Sequence, residues 1–331
     1  MEDKLKDLLS SCSDIDFGAV NLSDPEKEFC RDLNNEIISL CKSLPESTQT
    51  DAVLFLMRYL RTSFGENLDV FTCFYVPAWS IVYWLIQSGR DDKGLEQIDI
   101  KNARTAHSMA MLLHSLDDHL SDSELPITHL TLLLRSQSWM VMNNAFNCLA
   151  DGVDGGEKIV RGFIDDYYSS ICCFKGIDSL DSYCDLFRKQ MATWLIVPVL
   201  MTKKMTSNEE FTSAIHSAYG SFGIAWRLLD DIKDIETDMM KGIHSSIYIC
   251  LSKDTKNCWE KDAGEKTDRN SGHTKVILDY VLENCVIDRI KERICSELES
   301  AASIADDYNI AGLADEFRCL LRPLKNRQDR T

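Results

Sequence analysis

Two runs of carboxylates, each closing an apolar helical stretch, constrain this chain more than any other feature. The first is Leu112-Leu113-His114-Ser115-Leu116-Asp117-Asp118-His119-Leu120-Ser121-Asp122. The second is Trp226-Arg227-Leu228-Leu229-Asp230-Asp231-Ile232-Lys233-Asp234-Ile235-Glu236-Thr237-Asp238. On a helix, Asp118 and Asp122 lie one turn apart with Asp117 beside them, and Asp230, Asp234 and Asp238 follow i, i+4, i+8 along one edge. Like charges at that spacing repel, and divalent cations held by oxygen ligands relieve the repulsion. Taken singly, either run is also what a solvated acidic helix face looks like. Two of them about 110 residues apart, with several helices between, can instead face each other across a helical bundle and hold a metal-bridged diphosphate.

The rest of the chain supports a bundle. Only six Pro and fifteen Gly interrupt 331 residues, and few stretches alternate as strands do. Ala103, Ala106, Ala110, Leu113 and Leu120 form a core-facing stripe. Further helices are expected from Val53 to Thr62, Val70 to Gln87, His129 to Ala150, Gly156 to Phe174, Leu180 to Met201, Asn208 to Met240, Lys275 to Ser303 and Ala311 to Leu321. With no internal repeat and no Gly/Ser-rich linker, residues 1–331 read as a single all-α domain, interrupted by a polar loop insertion at about 253–275.

Charge and cysteine content exclude other classes. Lys plus Arg total 36 against 53 Asp plus Glu, a net charge of −17 that argues against a nucleic-acid partner. Thirteen cysteines, among them Cys172-Cys173, show neither a CxxC pair nor zinc spacing and read as free thiols in a reducing cytosol. The most apolar stretches, Val76 to Ile86 and Thr193 to Met201, are shorter than the ~20 residues a membrane helix needs. The start Met1-Glu2-Asp3-Lys4 is unlike a signal peptide, so a cytoplasmic protein without a transmembrane segment is expected.

Beyond the aspartates, Pro126-Ile127-Thr128-His129 looks like a Pro-Thr-x-His segment with one residue inserted. The run Phe222-Gly223-Ile224-Ala225-Trp226-Arg227-Leu228-Leu229-Asp230-Asp231-Ile232-Lys233-Asp234 is similar to Gly-x-Ala-Phe-Gln-Ile-x-Asp-Asp-x-x-Asp. Over roughly residues 65 to 250 the chain thus resembles the class I isoprenoid synthase superfamily, the trans-prenyl diphosphate synthases and class I terpene synthases. The resemblance implies a large helical bundle with a central apolar cavity, aspartates at its mouth, and Mg²⁺ ions, up to three, holding an allylic prenyl diphosphate. It assigns metal binding to Asp117, Asp118, Asp122, Asp230, Asp234 and Asp238, with Asp117, Asp118, Asp230 and Asp231 central to catalysis. A homodimer is implied as well.

Diphosphate also needs donors. Arg188-Lys189-Gln190 lies where the family places a basic contact, without indicating which of the three aligns. Arg227 could contact substrate or pair with Asp231 at i, i+4, and Lys241 could reach phosphate or sit at a helix C-terminus favoured by the macrodipole. Trp79, Phe146, Trp194 and Trp226 could line the pocket with π faces or simply pack in the core.

The chain departs from the family where chain-elongating members bind isopentenyl diphosphate. Their Gly-Gly-Lys-x-x-Arg-Pro stretch is here Gly65-Glu66-Asn67-Leu68-Asp69-Val70-Phe71, and the usual Arg-Arg after the first cluster is replaced by Ser123-Glu124. Arg58 and Arg61 upstream could stand in for those cations or face solvent. The second motif is double-valued, because Asp230, Asp234 and Asp238 also match the spacing of the terpene-cyclase metal triad, and Asp238-Met239-Met240-Lys241-Gly242 resembles the run that closes it. The expected function is ionisation of an allylic prenyl diphosphate and transfer of the prenyl group. The alternatives are cyclisation of the same substrate and a non-catalytic synthase subunit.

Overall fold

Apolar residues recurring every three or four positions, with few helix breakers between them, wind almost the whole chain into helices. The computed structural model describes residues 2–63, 66, 68–89, 94–172, 177–206, 208–262 and 272–326, and among them there is no strand. In chain order come α1 (Glu2–Ser13), α2 (Asp24–Ser43), α3 (Glu46–Tyr59), α4 (Pro77–Ser88), α5 (Gln97–Ser121), α6 (His129–Ala150), α7 (Gly156–Cys172) and α8 (Leu180–Gln190). They are followed by α9 (Ala192–Met205), α10 (Glu209–Lys233), α11 (Ile235–Lys241), α12 (Ser246–Cys250), α13 (Lys253–Asp262), α14 (Gly272–Glu283), α15 (Val286–Asp307) and α16 (Ala311–Asn326). The all-α architecture matches expectation. Among the described residues no helix is long and apolar enough to cross a membrane.

Burial separates central from outer helices. Every residue from Ala192 to Thr202 of α9 is buried, the mark of a helix apolar on all sides and surrounded by others, and α4 is buried almost throughout. α5 packs against α6 and α2, while α10 packs against α15 and α9. The stripe of α5 is realised: Ala103 and Ala106 are fully buried, Ala110 and Leu113 nearly so. Its small residues let the neighbouring helices approach closely. α5 and α10, 25 residues each, run the length of the bundle and carry the two acidic runs at their C-terminal ends.

Several boundaries differ from expectation. The stretch from Leu180 to Met201 is two helices with a break at Met191. Asn208 to Met240 divides at Asp234, and Lys275 to Ser303 divides at Cys285, which adopts a left-handed conformation (φ 49°). The polar insertion at 253–275 is a correction. Residues 253–262 are helical, 272–275 begin α14, and 263–271 lie outside the described residues. Thr255 and Trp259, one turn apart, are the reason: both are buried, Trp259 completely, with its ring edge-on to Tyr248. Burying an indole contributes on the order of 3 kcal/mol, enough to dock a helix whose other faces are charged. The helical periodicity does not announce the N-terminal helices α1 and α2, although Ser23-Asp24-Pro25-Glu26 is a capping box with Pro in the first turn.

Candidate active site

The C-terminal ends of α5 and α10 meet at the mouth of one cavity of about 780 Å³, whose wall includes Asp118 from the first helix and Asp230 from the second. A helix C-terminus carries the negative end of the macrodipole, so carboxylates there are doubly disfavoured unless cations compensate. The strain is visible at Asp230. Its carboxyl pKa is pushed up to about 6, first by loss of hydration and then by the carboxylates of Asp234, Asp231 and Asp118, with Arg227 opposing. Asp122, which caps α5, and Asp234, which caps α10, are raised for the same pair of reasons, the nearest like charges being Asp118 and Asp231 respectively.

The aspartates differ in what surrounds them. Asp117 lines the cavity, but Arg135 of α6 donates to both its carboxylate oxygens, and Tyr167 of α7 donates at 3.2 Å. Asp231, expected among the catalytic residues, is 1% exposed and outside the cavity wall. It pairs with Arg227 at 3.0 Å and accepts the Ser246 backbone N–H at 2.8 Å. The i, i+4, i+8 row survives the break at Asp234, because Asp234 N–H bonds to Asp230 C=O and Asp238 N–H to Asp234 C=O. Its burial is uneven: Asp230 and Asp234 are exposed, whereas Asp238 is buried with its pKa pushed up to about 7 by desolvation and by Asp231.

The expected diphosphate donors divide by helix register. Tyr183, Phe187 and Gln190 share a face of α8, and Phe187 and Gln190 reach the cavity wall. Of the three candidates, Arg188 and Lys189 do not line it. Arg188 pairs with Asp185 at 2.6 Å and lies along Gly220 of α10, and Lys189 is exposed. Arg227 makes the expected i, i+4 pair with Asp231, donates through Nε to Tyr183 Oη at 2.9 Å, and also lines the cavity. Lys241 Nζ lies 3.5 Å from Glu124, tying the segment after the second run to the segment after the first.

Below the carboxylates the wall is aromatic and aliphatic. Trp194 and Trp226 stand 5.6 Å apart between ring centres, and Phe74 meets both edge-on. Trp79 and Phe146, by contrast, are core residues outside the cavity wall. Spacing alone missed Tyr59, His119, Arg135 and Tyr167, all lining residues, which Arg61 joins. Tyr59 Oη lies 2.5 Å from His119 Nδ1, and His119 Nε2 is 3.7 Å from Glu124. Where the family carries cations, Asp69 accepts from the Asn34 amide and the Phe71 N–H, both at 3.0 Å, and Glu66 accepts from the Ser63 N–H. Those carboxylates fold the chain locally, and Arg61 is the cation that this side contributes to the cavity.

No three His, Cys, Asp or Glu side chains among the described residues converge closely enough to enclose a metal ion. The donor set nevertheless fits Mg²⁺, which dehydrates reluctantly and is typically held by one or two carboxylates, with water and phosphate oxygens completing the octahedron. Oxygen donors on two facing walls, in a crowded anionic mouth, have that chemistry.

The fold recurs in solved structures. Geranylgeranyl pyrophosphate synthase from Corynebacterium glutamicum matches over 96% of this chain and 98% of its own, with a TM-score of 0.66 and 12% identity. The chain has the trans-prenyl diphosphate synthase fold. Polyprenyl synthetase from Streptomyces coelicolor shares this fold over 91% of this chain and 98% of its own (TM-score 0.63, 10% identity). So does the Corynebacterium glutamicum synthase complexed with calcium and isoprenyl diphosphate, over 95% and 99% (TM-score 0.65, 12% identity). No protein-family model matches the sequence, and no curated protein matches it.

Proposed function

We propose that this protein ionises an allylic prenyl diphosphate in a Mg²⁺-dependent reaction and transfers the prenyl group, with residues 1–331 acting as one catalytic domain. The observation that supports this most directly is that Asp118 of α5 and Asp230 of α10 line a single cavity whose wall also includes Phe74, Trp194 and Trp226. Divalent metal and isoprenyl diphosphate are bound together in a structure of the same fold.

Asp118 and Asp230 would hold the metal ions, with Asp122 and Asp234 one turn further along each helix. Bound Mg²⁺ would supply neutralisation of the charge that develops on the leaving diphosphate. The chain's own donors, Gln190 and Arg227, would orient the diphosphate from the α8 and α10 side, and Lys241 would approach from the rim. Below them, the aromatic wall excludes water and turns π faces toward the cation left behind. The resemblance also implies a homodimer, which sedimentation of the purified protein tests.

Cyclisation is the second reading. It is favoured by the stretch around Glu66 and Asp69, whose carboxylates are held in local hydrogen bonds and which, among the described residues, offers only Arg61 to the cavity to attract a diphosphate-bearing acceptor. Incubation with geranyl, farnesyl and geranylgeranyl diphosphates, with and without isopentenyl diphosphate, followed by mass spectrometry, separates the two. A longer diphosphate supports transfer, and a hydrocarbon or alcohol formed from a single substrate supports cyclisation. Absence of turnover under every condition would favour a non-catalytic subunit.

A further inference from the structure

α5 carries three imidazoles, and two of them are engaged. His107, fully buried, bonds through Nε2 to the Ala78 carbonyl at 2.8 Å, and His119 bonds to Tyr59. His114 makes no hydrogen bond among the described residues. It lines the cavity, its ring edge-on to Trp194 with centroids 4.7 Å apart. The indole Nε1 of Trp194 is buried and also lacks a partner. One helical turn, about 5.4 Å, separates His114 from Asp118 on the same face of α5, and Trp226 stands one turn below Asp230 on α10. The imidazole therefore lies about one turn from Asp118 in the same cavity, where the first isoprene unit would come if, as proposed, the diphosphate is held by Asp118 and Asp230.

We infer that His114 is the base that removes the terminating proton from the carbocation. This rests on the proposed ionisation of a prenyl diphosphate. In that reaction the C–O bond breaks and its electron pair leaves with diphosphate. The π electrons of an alkene, on an acceptor or on the same chain, then form a C–C bond and move the charge to a tertiary carbon. An adjacent C–H bond gives its electron pair to a new C=C bond, and its proton goes to the imidazole lone pair. The products are an alkene, diphosphate and one proton, which the imidazolium passes on to diphosphate or water. Burial lowers the His114 pKa from its ordinary value, which keeps the lone pair available, and a C–H bond next to a carbocation is acidic enough for a weak base. The neighbouring Trp194 ring stabilises the imidazolium as it forms.

Two variants test this: His114→Phe, which preserves the ring packing, and His114→Gln, which preserves polarity. With Mg²⁺ and each of the three allylic diphosphates, products and diphosphate release are measured together for both variants and the wild type. The alkene fraction should fall at least tenfold, replaced by alcohols from water capture. Unchanged products with continued diphosphate release overturn the assignment of His114 alone, whereas absence of release from the wild type overturns both this and the proposed function. A readout independent of metal and turnover is calorimetric binding of farnesyl dimethylamine, whose ammonium N–H would donate to the neutral imidazole. His114→Phe should weaken binding about tenfold, the loss of one charge-assisted hydrogen bond. Equal affinity would overturn the assignment.

Discussion

Arg135 on α6 grips both carboxylate oxygens of Asp117 on α5, and Tyr167 on α7 donates to the same group. Asp117 thus joins three helices at the cavity mouth. Asp117→Asn should lower Tm by a few degrees, since disrupting a half-buried charged pair costs about 1–3 kcal/mol. At temperatures where the variant is folded, turnover should fall less than tenfold. Thermal denaturation together with a diphosphate-release assay checks both parts.

Asp118 and Asp230 should behave in the opposite way. Asp118→Asn and Asp230→Asn relieve like-charge crowding, so stability should hold or rise slightly, while diphosphate release should drop at least about a hundredfold. Chelation of divalent metal from the wild-type protein should give the same loss, reversed by added Mg²⁺. A variant at either position with wild-type turnover would contradict the proposed metal site.

Far from the mouth, Glu316 of α16 is buried, accepting hydrogen bonds from Ser80 Oγ and, at 2.7 Å, from Trp84 Nε1. Burial pushes its pKa from 4.5 up to about 8, and the nearby Glu26 carboxyl adds to the shift. Between those two values the folded state keeps a proton that the unfolded chain has released. The stabilisation is therefore complete below about pH 4.5 and is lost as pH rises through about 8, with a slope of about 1.4 kcal/mol per pH unit for one proton. Tm measured from pH 6 to 8.5 should fall more steeply for the wild type than for Glu316→Gln.

Gly223 of α10 has no room for a side chain, because a Cβ there would lie 2.2 Å from Met191 Sδ. Both residues line the cavity, and the flexible thioether is what must yield. Gly223→Ala should push Met191 inward and favour shorter substrates. Relative to wild type, kcat/KM should decline more for geranylgeranyl than for geranyl diphosphate.

Helical spacing carries much of this structure. α6 runs from His129 to Ala150 as its pattern indicates, and the two carboxylate rows emerge on helices whose ends share one cavity. Periodicity does not report partners, however. Asp117 and Asp118 are adjacent in sequence, yet Arg135, eighteen positions on and one helix away, engages only the first. Nor does a run of three polar residues reveal which one faces inward. Gln190 reaches the cavity instead of Arg188 because Tyr183 and Phe187 set the register of α8. Average polarity suggests an insertion at 253–262 and hides the single buried face formed by Thr255 and Trp259.

Trp194 and Trp226 stand side by side in the wall of the chamber, two of only six indoles in the chain. Their intrinsic emission makes the protein its own reporter of occupancy. A prenyl chain arriving beside them should shift and quench that fluorescence, so ligand affinities can be read optically, without labels, before any chemistry takes place.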